Sequence, residues 1–160
     1  MNETDLNKII SDSAYINSGH YHKISDDSRT QKPYDGYGII NHLPAYIECK
    51  FKKEIDAFNF NKIEPHQLRN LTTIRKELSV PNYSLIVLGL WKSREYFNIM
   101  FFDIEYINTL ISLGKKSILK KELEELLRLN KFLPVITKTI DNEKYKIVEL
   151  EKLDSVIIKN

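Results

Sequence analysis

The chain has 160 residues, of which 42% are hydrophobic and 29% are charged, and its formal net charge is +2 at pH 7. This length predicts one domain over residues 1–160 with a single core, and no apolar run approaches the ~20 residues of a membrane span. The N-terminus lacks the pattern of a secretory signal, and the single cysteine, Cys49, excludes an intramolecular disulfide and fits a reducing cytosol.

The first part of the chain predicts a helix, a short strand and a loop. Apolar periodicity indicates a helix over residues 3–16, which Gly19 ends, and residues 21–24 are compatible with a short strand. Residues 25–32 are polar and charged, so we expect a loop there. This loop leads directly to Asp35.

Residues 45–51 alternate strictly, which predicts a strand with one buried face. Ala45 and Cys49 belong to the apolar face, whereas Glu48 and Lys50 share the other. Residues two apart on a strand have roots roughly 6–7 Å apart, so this carboxylate and this ammonium can converge on one small object. A hydrated metal ion is such an object.

Asp35 supplies a second carboxylate. It precedes an apolar run over residues 37–40, and the turn residues 41–44 then lead into the Glu48 strand, which predicts a hairpin. If the two strands pair, Asp35 reaches the same patch as Glu48. One Asp, one Glu and the backbone carbonyl of Cys49 suit Mg²⁺ or Mn²⁺ and leave room for water and phosphate.

A helix is predicted to begin at Glu64 and Pro65, because proline at the first helical position loses no hydrogen bond. Gln67 shares a stripe with Leu71 on the side of this helix that faces the sheet. A polar residue on that stripe is expected to aim at the Glu48 end of the strand. The alternative is that Gln67 caps a backbone group.

The second half of the chain predicts two paired strands, two helices and a closing hairpin. These elements cover residues 83–90, 96–102, 103–113, 116–129, 133–136 and 144–150. A shortened start remains open for the helix over residues 116–129. Asp103 caps the first of the helices and Gly114 ends it. Asp141 and Asn142 form the turn of the hairpin.

Charge is distributed unevenly along the chain. Acidic side chains outnumber basic ones over residues 1–35, and the reverse holds over residues 50–76. An acidic region for metals beside a basic rim for phosphates is what a Mg²⁺ nuclease needs, although any one charged run can be a solvated face. The candidate DNA-binding residues are Lys23, Lys52, Lys53, Lys62 and Arg69.

An Asp, then Glu-x-Lys on the next strand, then a helix bearing Gln is the layout of the PD-(D/E)XK nuclease superfamily. Within it, the chain resembles the RecU-type Holliday junction resolvases over nearly its whole length. The matching features are Glu3, Leu6 and Asn7, His22-Lys23, Asp35-x-x-Gly38, the segment from Tyr46 to Lys50 around Glu48, Phe58, His66-Gln67, the segment from Ser84 to Leu90, Phe101-Phe102-Asp103, Lys116-Ser117-Ile118 and the segment from Lys144 to Val148.

The resemblance implies an α/β restriction-endonuclease-like fold with a central mixed sheet flanked by helices. It implies that Asp35 and Glu48 are metal ligands and Lys50 the catalytic lysine, with Glu3 as an upstream acidic member of the site. Gln67 would be an accessory group and a possible further ligand. The implied cofactor is Mg²⁺, with Mn²⁺ as a substitute. The implied partner is branched DNA, cut to leave 5′-phosphates by a homodimer in the cytoplasm of a bacterium or a phage-infected cell.

Two departures from the family concern the choice of DNA. Family members carry a long basic stalk, thought to enter the centre of a four-way junction, where this chain has only residues 24–34. Within that segment, Pro33 and Tyr34 replace the hydroxyl-rich residues usual before the Asp. A junction resolvase and a related phage or mobile-element endonuclease with another DNA geometry therefore both remain open. The joint presence of the site residues argues against a catalytically silent DNA-binding protein.

Each site residue also has an ordinary structural interpretation when taken alone. Glu48 and Lys50 can form a solvent-facing ion pair, Asp35 before Gly36 is usual turn chemistry, and Glu3 can favour a helix start. These separate accounts must hold independently at positions that one active site explains together. We therefore expect the active site.

Overall fold

The computed structural model describes residues 1–27, 29–93 and 96–160. Its helices are α1 (Glu3–Ile16), α2 (Pro65–Glu77), α3 (Ile104–Ser112), α4 (Lys120–Arg128) and α5 (Leu153–Val156). Its strands are β1 (His20–Lys23), β2 (Gly36–Ile40), β3 (Leu43–Lys52), β4 (Phe58–Asn59), β5 (Tyr83–Ser93), β6 (Tyr96–Asp103), β7 (Ser117–Ile118), β8 (Leu133–Pro134), β9 (Ile136–Ile140) and β10 (Glu143–Ile147). Short 3₁₀ turns cover Phe60–Lys62 and Leu150–Lys152.

A six-stranded mixed sheet with the order β1-β2-β3-β5-β6-β8 forms the centre of the fold. Only the β3–β5 pair is parallel within this sheet, and the other neighbours are antiparallel. Two small sheets accompany it, one made of β4 and β7 and the other of β9 and β10. The predicted mixed sheet with flanking helices is confirmed.

The core lies on both faces of the sheet. Leu85 and Val87 of β5 join a cluster that includes side chains of α1 and α5, whereas Ile86 and Leu88 join a second cluster with α2, α3 and α4. Each of these four residues is 0% exposed. The near-continuous apolar run over residues 83–90 therefore belongs to a central strand covered on both sides, as predicted. Among the described residues, no helix combines the length and hydropathy needed to cross a bilayer.

Two hairpins have the same turn chemistry. Ile40 pairs with Leu43, so Asn41 and His42 form a two-residue turn, and their φ angles are 50° and 65°. Asp141 and Asn142 form the corresponding turn between β9 and β10, with φ angles of 49° and 65°. Positive φ at both positions is the requirement of the hairpin turn whose twist matches that of the strands. Both predicted turns are confirmed.

The structure differs from the sequence prediction at several element ends. β5 extends past residue 90 to Ser93, since Trp91 pairs with Phe97; the predicted connection includes Arg94 and Glu95, which lie outside the described residues. The helix predicted over residues 116–129 is shorter at its start, as that prediction allows: it begins at Lys120, because Ser117 and Ile118 form β7 and pair with β4.

The C-terminal region also differs from the prediction. The strand predicted over residues 133–136 is divided between β8 in the main sheet and β9 in the hairpin. The strand predicted over residues 144–150 ends at Ile147. The chain then forms a 3₁₀ turn and α5, whose Leu153 and Val156 are buried in the first cluster.

Gly38 allows β1 to lie unusually close to β2. A Cβ atom at this position would stand 1.9 Å from the backbone carbonyl oxygen of His20. Because the conflicting atom belongs to the backbone, a side-chain rotation cannot relieve it. The neighbouring Tyr37 is 47% exposed and carries its side chain into solvent.

We predict that Gly38→Ala lowers the free energy of unfolding by about 1–3 kcal/mol, the usual range for an overpacked site. Urea denaturation followed by circular dichroism measures this change. Tyr37→Ala introduces the same residue one position away and is expected to lower the free energy by less than about 1 kcal/mol. An unchanged urea midpoint for Gly38→Ala would contradict the close approach.

Candidate active site

The pairing of β2 with β3 brings Asp35 and Glu48 together. Gly36 pairs with Ile47, so the next position of the same register places Asp35 opposite Glu48. The Asp35 carboxylate lies against β3, where its Oδ2 accepts a hydrogen bond of 2.8 Å from the backbone N–H of Cys49. The Asp35 side chain thus bonds to the backbone of β3 just beyond the last backbone pair of β2 and β3. The predicted hairpin and its juxtaposition of two acids are present.

Glu48 is almost completely buried. It is 1% exposed, and its Oε1 accepts a hydrogen bond of 2.6 Å from Nζ of Lys50. Its Oε2 is buried and has no hydrogen-bond partner among the residues that the structure describes. Buried polar atoms are normally satisfied, so an orphaned carboxylate oxygen marks a position suited to a cation or a water molecule. The predicted solvent-facing alternative for this ion pair is therefore wrong.

The environment of Glu48 changes its acidity. Burial raises the pKa of this carboxyl to about 7, and the nearby charge of Asp35 acts in the same direction. The ammonium groups of Lys50 and Lys32 oppose this rise. Two acids brought close together in a buried place repel each other, and this accounts for the direction of the Asp35 effect.

Cys49 lies between the two site residues of β3 but points the other way. Its side chain is 0% exposed and belongs to the cluster that includes α1, as the alternation predicts. Burial and the neighbouring acids raise the pKa of its thiol well above the ordinary value. The thiol is therefore a core group, and only the backbone of Cys49 contributes to the site.

Lys32 is a site residue that the sequence analysis did not identify. Its Nζ lies 2.8 Å from Oδ1 of Asp35 and 2.9 Å from Oδ1 of Asp26. Burial opposes its charge, but the bonds to Asp35 and Asp26 more than offset this and raise the pKa of the ammonium above its ordinary value. In the sequence, only its position three residues before Asp35 points to this contact. The loop has no periodic pattern from which the direction of the Lys32 side chain could be predicted.

Gln67 and His66 stand at the start of α2. Gln67 is 5% exposed, and its Oε1 accepts a hydrogen bond of 3.0 Å from the backbone N–H of Glu64. The capping alternative for Gln67 is thus confirmed, and its role as a ligand stays a prediction. Nε2 of His66 lies 2.9 Å from the carbonyl oxygen of Lys32. His66 therefore links α2 to the loop before Asp35 instead of standing free on the surface.

A cleft of about 150 Å³ lies beside Lys50. It is lined by Glu3, Lys50, Phe51, Lys52, Phe58, Asn59 and Lys62. The structure thus brings the predicted upstream acid, Glu3, to the same cleft as Lys50. Of the candidate DNA-binding residues, Lys52 and Lys62 line this cleft, whereas Lys23, Lys53 and Arg69 are exposed outside its lining.

Larger grooves of about 400 Å³ and 350 Å³ lie between α1 and the hairpin of β9 and β10. The first contains Asp5 and Asp12. Asp5 accepts the backbone N–H of Asn2 at the helix start, and Asp12 accepts a hydrogen bond from Lys8. These two acids therefore serve a helix cap and a surface ion pair.

The donor set fits a hard divalent cation with few protein ligands. Among residues 1–27, 29–93 and 96–160, no group of three or more His, Cys, Asp or Glu side chains is placed to hold one ion. The available protein ligands are the carboxylates of Asp35 and Glu48 and the backbone carbonyl of Cys49. This carbonyl points toward Asp35, because the N–H and C=O of one strand residue point to the same side and the Cys49 N–H bonds to Asp35. Mg²⁺ binds through one or two carboxylates and keeps several waters.

Comparison with known proteins gives a fold likeness only. No protein-family model matches the chain, and no curated protein matches it. Among the solved structures that match the chain is Hjc, a Holliday junction resolvase from the archaeal hyperthermophile Archaeoglobus fulgidus. The two chains are 15% identical with a TM-score of 0.42, and the match covers 65% of this chain and 75% of Hjc. A likeness of this degree carries no argument about fold or function.

Proposed function

We propose that the protein is a Mg²⁺-dependent endodeoxyribonuclease of the PD-(D/E)XK type that cuts four-way DNA junctions in recombination and repair. The observation that carries this proposal is the convergence of three groups. Asp35 stands opposite Glu48 in the β2–β3 register, and Lys50 lies 2.6 Å from one oxygen of Glu48. The other oxygen is buried and has no partner in the described part of the chain. In an ordinary buried ion pair both carboxylate oxygens usually have partners, so the unpartnered oxygen of Glu48 supports a site for a further ligand.

Asp35, Glu48 and the carbonyl of Cys49 would hold the metal. A bound divalent ion would supply polarisation of the phosphate and a lowered pKa for the attacking water. Lys50 orients that water or neutralises the negative charge that builds up on the phosphate in the transition state. The buried surroundings of Glu48 strengthen each of these electrostatic interactions, because little solvent screens them.

Binding of the DNA backbone falls to the basic side chains around the cleft. Lys52 and Lys62 line it next to Lys50, and Nζ of Lys52 donates to the carbonyl oxygen of Ala57, which holds its ammonium near the cleft wall. Phosphate contacts of this kind supply affinity without sequence information. Cutting a junction into two duplexes needs two symmetric nicks, so we propose a two-fold homodimer.

A second candidate is a related phage or mobile-element endonuclease with another DNA geometry. The connection between β1 and β2 favours it. Backbone N–H of Ile24 donates to the carbonyl oxygen of Asp35 over 2.7 Å, and this bond closes a short loop where the resembled family carries a stalk. The described part of this connection, residues 24–27 and 29–35, is much shorter than a stalk that enters the open centre of a junction.

The deciding experiment is a cleavage assay with Mg²⁺ on three end-labelled DNAs of matched sequence: a four-way junction, a linear duplex and a single strand. Symmetric nicks confined to the junction support the first candidate, and cutting of all branched or linear forms supports the second. Binding without cutting would identify a silent DNA-binding protein. Light scattering at micromolar concentration tests the homodimer, and a monomer would favour a nicking or general endonuclease.

We predict that Asp35→Asn, Glu48→Gln and Lys50→Ala each lower the cleavage rate by at least about 10²-fold, because each removes a metal ligand or the charged group beside the phosphate. DNA binding, measured by mobility shift in EDTA, should persist in all three. Asp12→Asn makes the same chemical change in a surface ion pair and should leave the rate unaltered. Retained cleavage in one of the three variants removes that residue from the site.

We also predict that metal binding weakens as the pH falls below about 7, because the raised pKa of Glu48 makes the proton a competitor for its carboxylate. Above this pH the carboxyl is ionised and affinity should level off; below it, affinity should fall by up to about tenfold per pH unit. Calorimetric titration with Mn²⁺ between pH 5.5 and 8.5 measures the profile. A constant affinity across this range would contradict the assigned ligand.

A further inference from the structure

The side-chain ammonium of Lys32 lies between one buried and one exposed acid. Its Nζ lies 2.8 Å from Asp35, whose side chain is 7% exposed, and 2.9 Å from Asp26, whose side chain is 77% exposed. Water solvates the Asp26 carboxylate, whereas the Asp35 carboxylate depends on the partners that the protein supplies. These partners are the backbone N–H of Cys49 on Oδ2 and the Lys32 ammonium on Oδ1.

The backbone of Lys32 is held independently of its ammonium. Its carbonyl oxygen lies 2.9 Å from Nε2 of His66, which stands in the first turn of α2. Pro33 follows directly and restricts the backbone further. The side chain can therefore change partner while the loop stays attached to α2.

The site contains as many ammonium groups as carboxylates, so their charges cancel when all four are ionised. Asp35 is paired with Lys32, and Glu48 is paired with Lys50. A divalent cation that binds Asp35 through Oδ1 would meet the ammonium at the same oxygen, and two cations on one buried oxygen repel each other. One of them has to leave.

We infer that the Lys32 ammonium occupies the place of the metal on Asp35 and gives it up when a divalent cation binds, keeping Asp26 as its partner. The inference rests on the metal site of the proposed function. Lys32 is thus a positioning residue that keeps Asp35 in place in the metal-free protein and lowers the affinity for the metal. Asp26, on the solvent side, retains the ammonium after it leaves Asp35.

Lys32→Met tests this exchange, because methionine keeps much of the side-chain length and removes the charge. In calorimetric titration of the full chain with Mn²⁺ at pH 8, without DNA, Kd should fall by about tenfold, since a charged hydrogen bond no longer competes. In EDTA, Tm should drop by about 2–6 °C, since Asp35 loses its partner. Lys8→Met, which removes the Lys8–Asp12 ion pair on α1, should change neither the Kd nor the metal-free Tm by a comparable amount.

Asp26→Asn is a second variant that leaves the fold intact, since this side chain is exposed. Without Asp26 the ammonium has only Asp35 as partner, so Mn²⁺ should bind about two- to threefold more weakly. An unchanged or weaker Mn²⁺ affinity in Lys32→Met, with binding that still requires Asp35, would overturn the exchange and leave the metal site standing. Failure of the unaltered protein to bind Mn²⁺ would overturn both the metal site and the exchange.

Discussion

The register between β2 and β3 is the constraint on which the candidate site depends. The two-residue turn at Asn41 and His42 sets Ile40 opposite Leu43, and the pairing then runs without a bulge to the end of β2. A slip of one residue would turn every side chain of one strand to the other face of the sheet. A turn at the far end of the hairpin therefore decides whether Asp35 meets Glu48.

The second requirement is electrical. Burying two acids side by side is unfavourable unless cations or hydrogen bonds accompany them. Here Lys32 and Lys50 supply the cations from two different elements, a loop and the strand itself, and the Cys49 N–H supplies a hydrogen bond. The fold thereby keeps the carboxylates assembled in a place from which water is largely excluded.

Much of this arrangement is predictable from sequence because its causes are local. Alternation along residues 45–51 fixes which side chains share a face, and the hairpin turn fixes the register. The contact between Lys32 and Asp35 depends on the path of an irregular loop, which the sequence does not show. The sequence position of Gln67 is compatible both with a cap on Glu64 and with a group aimed at the site, so the sequence alone does not choose between them. α5 has only four residues, too few to show a helical period, and β9 is exposed on both faces and shows no alternation.

The ends of the main sheet restrict how two copies of the chain can associate. One edge is β1, with four residues, and the other is β8, with two, of which Pro134 has no N–H to donate. Such short edge strands present few backbone groups for pairing with a strand of another chain. Short edges also protect the sheet from edge-to-edge aggregation. If the proposed homodimer forms, its subunits would therefore meet through helical or hairpin side chains, leaving each sheet separate.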